Sequence, residues 1–319
     1  MPLTDKKISV VVPCYNEQEN LRRTYQRLRE VLAQVSTRYE IVFADNGSTD
    51  GSETVYRELA KADPNVVVVL LSRNFGSPDH TYSAGTEYAT GDAVVWIDAD
   101  LQDPPEMIPE FVRKWQEGYD IVYGIRKRRQ GSVLRRAGYK LFYRLMKSTS
   151  YLDIPLDVSE FSLMDRKVVD VINAMPERNR FVRGLRAWVG FKHTGIPYHR
   201  GERTAGTTKF TMLGYLRTAR KGLFSFSYAP LEWITTLSGI LVAVTSLAIL
   251  FYLGGYIFGY LPAGQRGIRT IILLVLFFGT VQLLSLSFIG EYLGRIFEEV
   301  KRRPKYVVRE VLNGPRHSV

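Results

Sequence analysis

The sequence predicts an α/β fold built on a mostly parallel sheet, followed by two membrane-spanning helices. Three observations predict it. Apolar runs without alternation are separated by helical patterns through the first 125 residues, as in strands buried on both faces of a sheet. Polar clusters follow several of those runs, where open sheets of this kind hold their ligands. Finally, residues 233–258 and 270–290 carry no charge, and each run is long enough to cross a bilayer core as a helix of about 20 residues.

Taken in order, "ISVVVP" (8–13) reads as a buried strand. "NEQENLRRTYQRLREVLAQV" (16–35) reads as a helix, with Asn16 and Glu19 at capping-box spacing and Leu21, Tyr25, Leu28 and Leu32 on one face. "YEIVFA" (39–44) is a strand, "SETVYRELAKA" (52–62) a helix and "VVVVLL" (66–71) a strand. The stretch from about Thr81 to Ala89 is helical, and "AVVWI" (93–97) is a strand. "EMIPEFVRKWQEG" (106–118) is a helix with Pro109 in its first turn, where no amide hydrogen is needed. "YDIVYG" (119–124) is a further strand. Residues 126–150 form a basic, helical linker, and 151–200 supply short elements returning to the sheet.

The C-terminal third is organised differently. Residues 211–229 mix Arg and Lys with Leu, Phe and Tyr, as an amphipathic helix at a membrane surface does. The domains are therefore a cytosolic catalytic domain (1–210), this interface helix (211–229), two spans within 230–292 (about 231–258 and 269–291) and a cytosolic basic tail (293–319). Lys and Arg flank the outer ends of the hairpin, against only Arg266 and Arg269 in its turn, so both termini are expected in the cytosol. No secretory leader is evident in the first residues. A single cysteine, Cys14, excludes an internal disulfide and fits a reducing compartment. A buried soluble helix pair is the alternative to the spans.

The net charge of +11 is unevenly placed. Residues 121–152 hold nine Lys or Arg and no acid, and residues 178–221 hold eleven against Glu202 alone. An anionic partner is implied. Lipid headgroups and phosphorylated substrates suit the adjoining hairpin better than nucleic acid does.

The chemistry concentrates in "WIDADLQDPPE" (96–106). On an extended chain Asp98 and Asp100 share a face. Two carboxylates that close need a cation, and a hard divalent ion completed by water and substrate phosphates is the simple solution. Asp103, just before two prolines, reads as a helix cap. "GSTDGS" (47–52) is a turn with a helix cap. No G-x-G-x-x-G, P-loop, H-E-x-x-H or Cys/His cluster is present, which disfavours dinucleotide oxidoreductases, P-loop enzymes and zinc sites.

The order "VVPCYNEQENL", "DNGSTD", "LSRNFG", "IDADLQDPPE", "LMDRKVVD", "ERNRFVRGLRAWVGF", Arg203 with Lys209, and "GEYLGRIFEEVKRRPKYVV" resembles the polyprenyl-phosphate glycosyltransferases of glycosyltransferase family 2, the GtrB-like and dolichol-phosphate-mannose-synthase-like enzymes. The resemblance covers nearly the whole chain. It implies a GT-A fold and inverting transfer of a sugar from a nucleotide sugar, a UDP-sugar ahead of GDP-mannose, to a membrane polyprenyl phosphate for cell-envelope glycan assembly or glycosylation. It implies Mg²⁺ or Mn²⁺ as cofactor. By the same resemblance Pro13, Tyr15 and Glu17 line the nucleotide pocket, Ala44 and Asn46 face the base, and Asp98, Ala99 and Asp100 hold nucleotide and metal. Gln102 joins Asp100 as a metal ligand. Arg126, Arg203 and Lys209 contact phosphates, and Arg136 and Lys140, with Arg126, meet the acceptor phosphate. A homo-oligomer and a flippase partner are further expectations.

Three departures stand out. Asn46 replaces the second Asp of the family's "DDGS". "SPDHTYSAG" stands where a Lys-Glu pair is usual. "SEFSLMDR" replaces "GDFRLMDR", so Glu160 takes the place of the Asp proposed as base, and Ser162 that of an Arg. Glu160 is either that base with a longer reach or a helix-capping acid. Two other functions compete with the transferase: a processive polysaccharide synthase, which should carry Q-x-x-R-W and more spans, and a non-catalytic membrane-anchored nucleotide-sugar-binding protein.

Overall fold

The computed structural model describes residues 2–126, 158–178, 180–201, 229–258 and 267–315. The interface helix expected at 211–229 and the linker after Arg126 lie outside them, apart from residue 229.

One eight-stranded sheet organises the chain: β1 (Ile8–Cys14), β2 (Tyr39–Asp45), β3 (Val66–Leu71), β4 (Ala93–Trp96), β5 (Ile121–Arg126), β6 (Val158–Asp165), β7 (His193–Tyr198) and β8 (Val308–Leu312). Their order across the sheet is β7-β5-β6-β4-β1-β2-β3-β8. The β4-β1-β2-β3 centre is parallel, whereas β6 runs antiparallel to both β4 and β5, and β8 antiparallel to β3. The sheet is therefore mostly parallel at its centre and mixed at its flanks.

Both faces are covered, which explains the unbroken apolar runs. Val10 and Val12 of β1 point into a layer with Leu21, Leu28, Tyr56, Phe111 and Phe161. Val11 points the other way, into a layer with Tyr82, Trp96, Val168 and Val182. The first layer is closed by α1 (Gln18–Val35), α2 (Ser52–Ala62) and α4 (Ile108–Gln116), the second by α3 (Pro78–Tyr88), α5 (Arg166–Ala174) and α6 (Val182–Trp188).

Several local expectations are corrected. Asn16 does not cap α1, which starts at Gln18 with Glu17 at the cap position. Asn16 takes a left-handed conformation with φ 52, and its Oδ1 accepts from Thr49 N at 2.8 Å. A short polar side chain tolerates that backbone and bonds across to the next loop instead of to the helix. Helix α3 begins three residues early, because the Ser77 side chain caps it and Pro78 fits its first turn. Pro109 lies in the first turn of α4 as expected, after a 3₁₀ turn at Pro105–Met107.

The tail is not separate from the sheet domain. Strand β8 lies within the stretch assigned to a basic tail, yet pairs with β3, Val69 opposite Val311. Asn313 Nδ2 donates to Ala60 O at 2.6 Å, and Arg178 N donates to the Glu299 carboxylate at 2.9 Å. Two long helices precede β8, α7 (Ala229–Ile257, 29 residues) and α8 (Gly267–Val300, 34 residues), and they touch each other. Among the described residues no helix is long and apolar enough to cross a membrane. Several positions inside both helices lie outside that description.

The end of the sheet away from the polar loops is tied by one buried acid. Glu40 accepts from Lys7 Nζ, Ser9 Oγ and Thr90 N, each at 2.6 Å. Burial pushes its carboxyl up, but these donors outweigh it and hold it below the ordinary range. A lowered folded value means stability that is complete above the unfolded value of about 4.3 and is lost as pH falls through the folded value. Glu40→Gln should therefore cost about 2–3 kcal/mol near neutral pH, and the gap from wild type should narrow in acid. Urea unfolding at pH 7 and below pH 4 checks it. A gap unchanged by pH would count against this linkage.

Candidate active site

The carboxyl ends of β1, β2 and β4 meet at one rim. Pro13 lies beside Ala44 in the β1–β2 register, and Asn46 N donates to Cys14 O at 2.9 Å. Pro13 near the end of β1, and Tyr15 and Glu17 on the loop after it, are half-buried. Asn46 is buried, and its amide bonds to the third loop through both atoms: Phe75 N donates to its Oδ1 at 3.0 Å, and its Nδ2 donates to Asn74 Oδ1 at 3.2 Å. An aspartate here could accept from Phe75 but could not donate to Asn74, so the departure from "DDGS" is matched by its neighbour. Ala44 does not face an open site. It is fully buried, and its Cβ packs toward Gly85 of α3. Odd and even residues of a strand point to opposite faces, and Ala44 falls on the α3 side.

The loop after β4 carries the acids. Asp98 Oδ1 accepts from Tyr82 OH at 2.7 Å. Crowding by protein, then the like charges of Asp103, Asp100 and Glu160, push the Asp98 carboxyl upward, although 35% of its side chain still meets solvent. Ala99 is buried, and its carbonyl accepts from Thr24 Oγ1 at 2.9 Å. Asp100 is buried and accepts from Gln102 N at 3.1 Å. Gln102 joins the rim to the chain beyond β7: its carbonyl accepts from Gly201 N at 2.8 Å.

Asp103 is not a helix cap. The 3₁₀ turn that follows receives no side-chain cap, and Asp103 is buried at the centre of the site. Tyr198 OH donates to it, Arg126 Nη2 lies 3.7 Å away and Arg200 Nε 3.5 Å. Burial pushes its carboxyl up, and Arg126 and Arg200 pull it back only in part. Arg126 Nε in turn donates to Tyr198 OH at 3.2 Å. Tyr198 reaches this position because Gly124 leaves room: a Cβ on Gly124 would come within 2.6 Å of the Tyr198 ring.

Glu160 caps no helix. Antiparallel β6 brings it to the same rim, where Arg183 Nη2 donates to it at 2.5 Å. Burial raises its carboxyl, but Arg183 and Arg126 outweigh that and carry it down to about 2. A carboxylate held there is a weak base. Ser162, which stands where the resembled family has Arg, accepts from Arg186 Nη1 at 2.6 Å, and the same nitrogen donates to Glu160 O at 3.2 Å. Arg186 thus brings a guanidinium from α6 to the place that the strand itself leaves empty of charge.

The rim accordingly joins Asp98, Asp100, Gln102, Asp103, Arg126 and Glu160. Arg136, Lys140, Arg203 and Lys209 lie outside the described residues. Sequence reasoning missed Tyr82, Arg183, Arg186, Tyr198 and Arg200. The basic stretch 178–221 contained all three arginines, but its charge alone did not mark those that turn inward. Among the described residues no three His, Cys, Asp or Glu side chains converge as ligands of one metal ion. Asp100 and Gln102 offer a carboxylate and an amide oxygen, donors that suit a hard ion such as Mg²⁺ or Mn²⁺ completing its shell with water and phosphate oxygens.

A family model described as glycosyl transferase family 2 matches residues 9–172. An uncharacterized glycosyltransferase of Bacillus subtilis is 43% identical over 95% of this chain and 93% of its own length. The bactoprenol glucosyl transferase of Shigella phage SfII is 40% identical over 97% and 99%. Among solved structures, a mannosyltransferase from Pyrobaculum calidifontis in complex with GDP-Man and Mn²⁺ is similar with a TM-score of 0.50 and 18% identity, over 92% of this chain and 88% of that one. That likeness shows the shared GT-A-like α/β fold.

Proposed function

The chain belongs to glycosyl transferase family 2, and from that premise we propose that it transfers a sugar, with inversion, from a nucleotide sugar to a polyprenyl phosphate. The observation that carries this reading is the rim itself, with Asp98, Asp100 and Asp103 set against Arg126 and Arg200 at the strand ends. The relative named bactoprenol glucosyl transferase, aligned over nearly the whole of both chains, supports the lipid acceptor.

Two anionic reactants must be brought together and a nucleoside diphosphate released. Mg²⁺ or Mn²⁺ held by Asp100 with Gln102 would neutralise the leaving diphosphate. Arg126, fixed by Asp103 and Tyr198, presents a permanent positive charge to a phosphate. The acceptor phosphate is already anionic, so no strong base is required. Glu160, held near 2 by its arginines, serves to position Arg183 and Arg186. UDP-sugars are favoured as donors, with GDP-mannose as the alternative.

The hairpin anchors this chemistry on the cytoplasmic face of the membrane. In support, α7 and α8 leave large apolar side chains open, among them Leu247, Phe251 and Leu283 at 67–71% exposure, more than water tolerates on a folded surface. At about 1.5 Å per residue both helices exceed the roughly 30 Å of a hydrocarbon core.

A panel of UDP- and GDP-sugars incubated with the purified chain, polyprenyl phosphate and Mn²⁺ tests the activity. One donor should yield lipid-linked monosaccharide. No lipid-linked product from any donor would leave the non-catalytic sugar-nucleotide binder as the reading.

A further inference from the structure

We propose that Arg200 is a built-in rival of the divalent cation, sharing the carboxylates of the acid rim and setting how weakly the metal is held by the protein alone. The inference rests on the reading of that rim as a cation site. Arg200 reaches all three acids of the loop: its Nη2 lies 3.8 Å from Asp98 and 3.9 Å from Asp100, and its Nε 3.5 Å from Asp103. A guanidinium cannot shed its charge in a protein, so it opposes a second cation at the same oxygens at every pH the fold survives.

Its hold is electrostatic rather than locked. Arg200 Nε is buried yet makes no hydrogen bond, and all three contacts exceed the usual hydrogen-bonding distance. Arg126 differs, being fixed by its bond to Tyr198. The residues flanking Arg200 are held, Tyr198 by its hydroxyl on the Asp103 carboxylate and the backbone at Gly201 by its N–H on Gln102 O at 2.8 Å. The side chain is therefore the part able to yield. With 30% of it open to solvent, it has somewhere to go.

This places a positioning residue beside the metal, where it neutralises the acids in part and lowers their appetite for a free ion. Removing its charge should tighten metal binding in the absence of any nucleotide. The test is a titration of the full-length chain in detergent with Mn²⁺ alone, followed by the paramagnetic resonance of free Mn²⁺. Arg200→Gln should bind Mn²⁺ about tenfold more tightly than wild type, and Arg200→Lys, which keeps a cation, should stay near wild type. Thermal unfolding gives an independent readout. Mn²⁺ should raise the melting temperature of Arg200→Gln more than that of wild type, by the linkage between binding and stability. Arg200→Met, which keeps the apolar stem, serves if the glutamine variant does not fold. Equal Mn²⁺ affinity in wild type and the neutral variants overturns the rivalry while leaving the cation site standing. Failure of every protein to bind Mn²⁺ overturns the cation site and the inference with it.

Discussion

Asp100→Ala should reduce sugar transfer at least a thousandfold, about 4 kcal/mol of transition-state stabilisation, without unfolding the protein. Asp100 is the buried acid of the rim whose expected role is to hold the cation. Its charge also raises the carboxyls of both Asp98 and Asp103. Deleting it therefore relieves repulsion inside the fold, and the melting temperature without metal should hold or rise. A structural acid would behave in the opposite way, losing stability and activity together. Transfer rates and thermal unfolding on the same preparations separate the two. More than a tenth of wild-type activity in Asp100→Ala would remove it from the cation site.

Glu160→Gln is expected to act through stability first. The Glu160 carboxylate balances Arg183 directly and the buried Arg186 and Arg126 by charge. Breaking a buried ion pair from one side leaves an uncompensated charge and costs about 3–5 kcal/mol. Because 27% of the Glu160 side chain is open to solvent, about 3 kcal/mol is the better expectation. The folded value is depressed, so this contribution is complete above the unfolded value of about 4.3 and disappears as pH falls through about 2. The same placement means that no acid limb of the pH–rate profile between about 4 and 7 should belong to Glu160. Chemical unfolding and a pH–rate profile of wild type and variant check both statements. An acid limb in that range that vanishes in Glu160→Gln would return the base role to it.

Much of the fold was legible because the strands are buried on both faces. Residues such as Val66–Leu71 must be apolar throughout, and no other soluble element combines that pattern with so short a length. The acid loop was legible for a related reason, since charge at the end of a buried strand demands a partner. What escaped was everything decided by pairing across long sequence distances. The Asp103 environment depends on Tyr198 and Arg200, nearly a hundred residues later, and on a glycine at 124 that makes space for a ring. Asn16 carried a sound local signal for a helix cap, and a loop more than thirty residues on claimed it. Glu160 was open to two roles from sequence alone. Only the arrival of Arg183 and Arg186 from helix α6 shows that it caps no helix and is paired with arginines instead.

Strand β8 carries a consequence for how the chain is made. Its partner β3 is among the first elements to leave the ribosome, whereas Val308–Leu312 emerges only after both long helices. Throughout synthesis the apolar β3 therefore presents an unpaired edge, the kind of surface on which nascent chains associate wrongly. Arg57, already in place on α2, sets a charge beside that edge against such pairing, and in the finished seam it joins Glu53 and Glu310 while Arg309 joins Glu53. Completion of the sheet therefore waits until both long helices have been made.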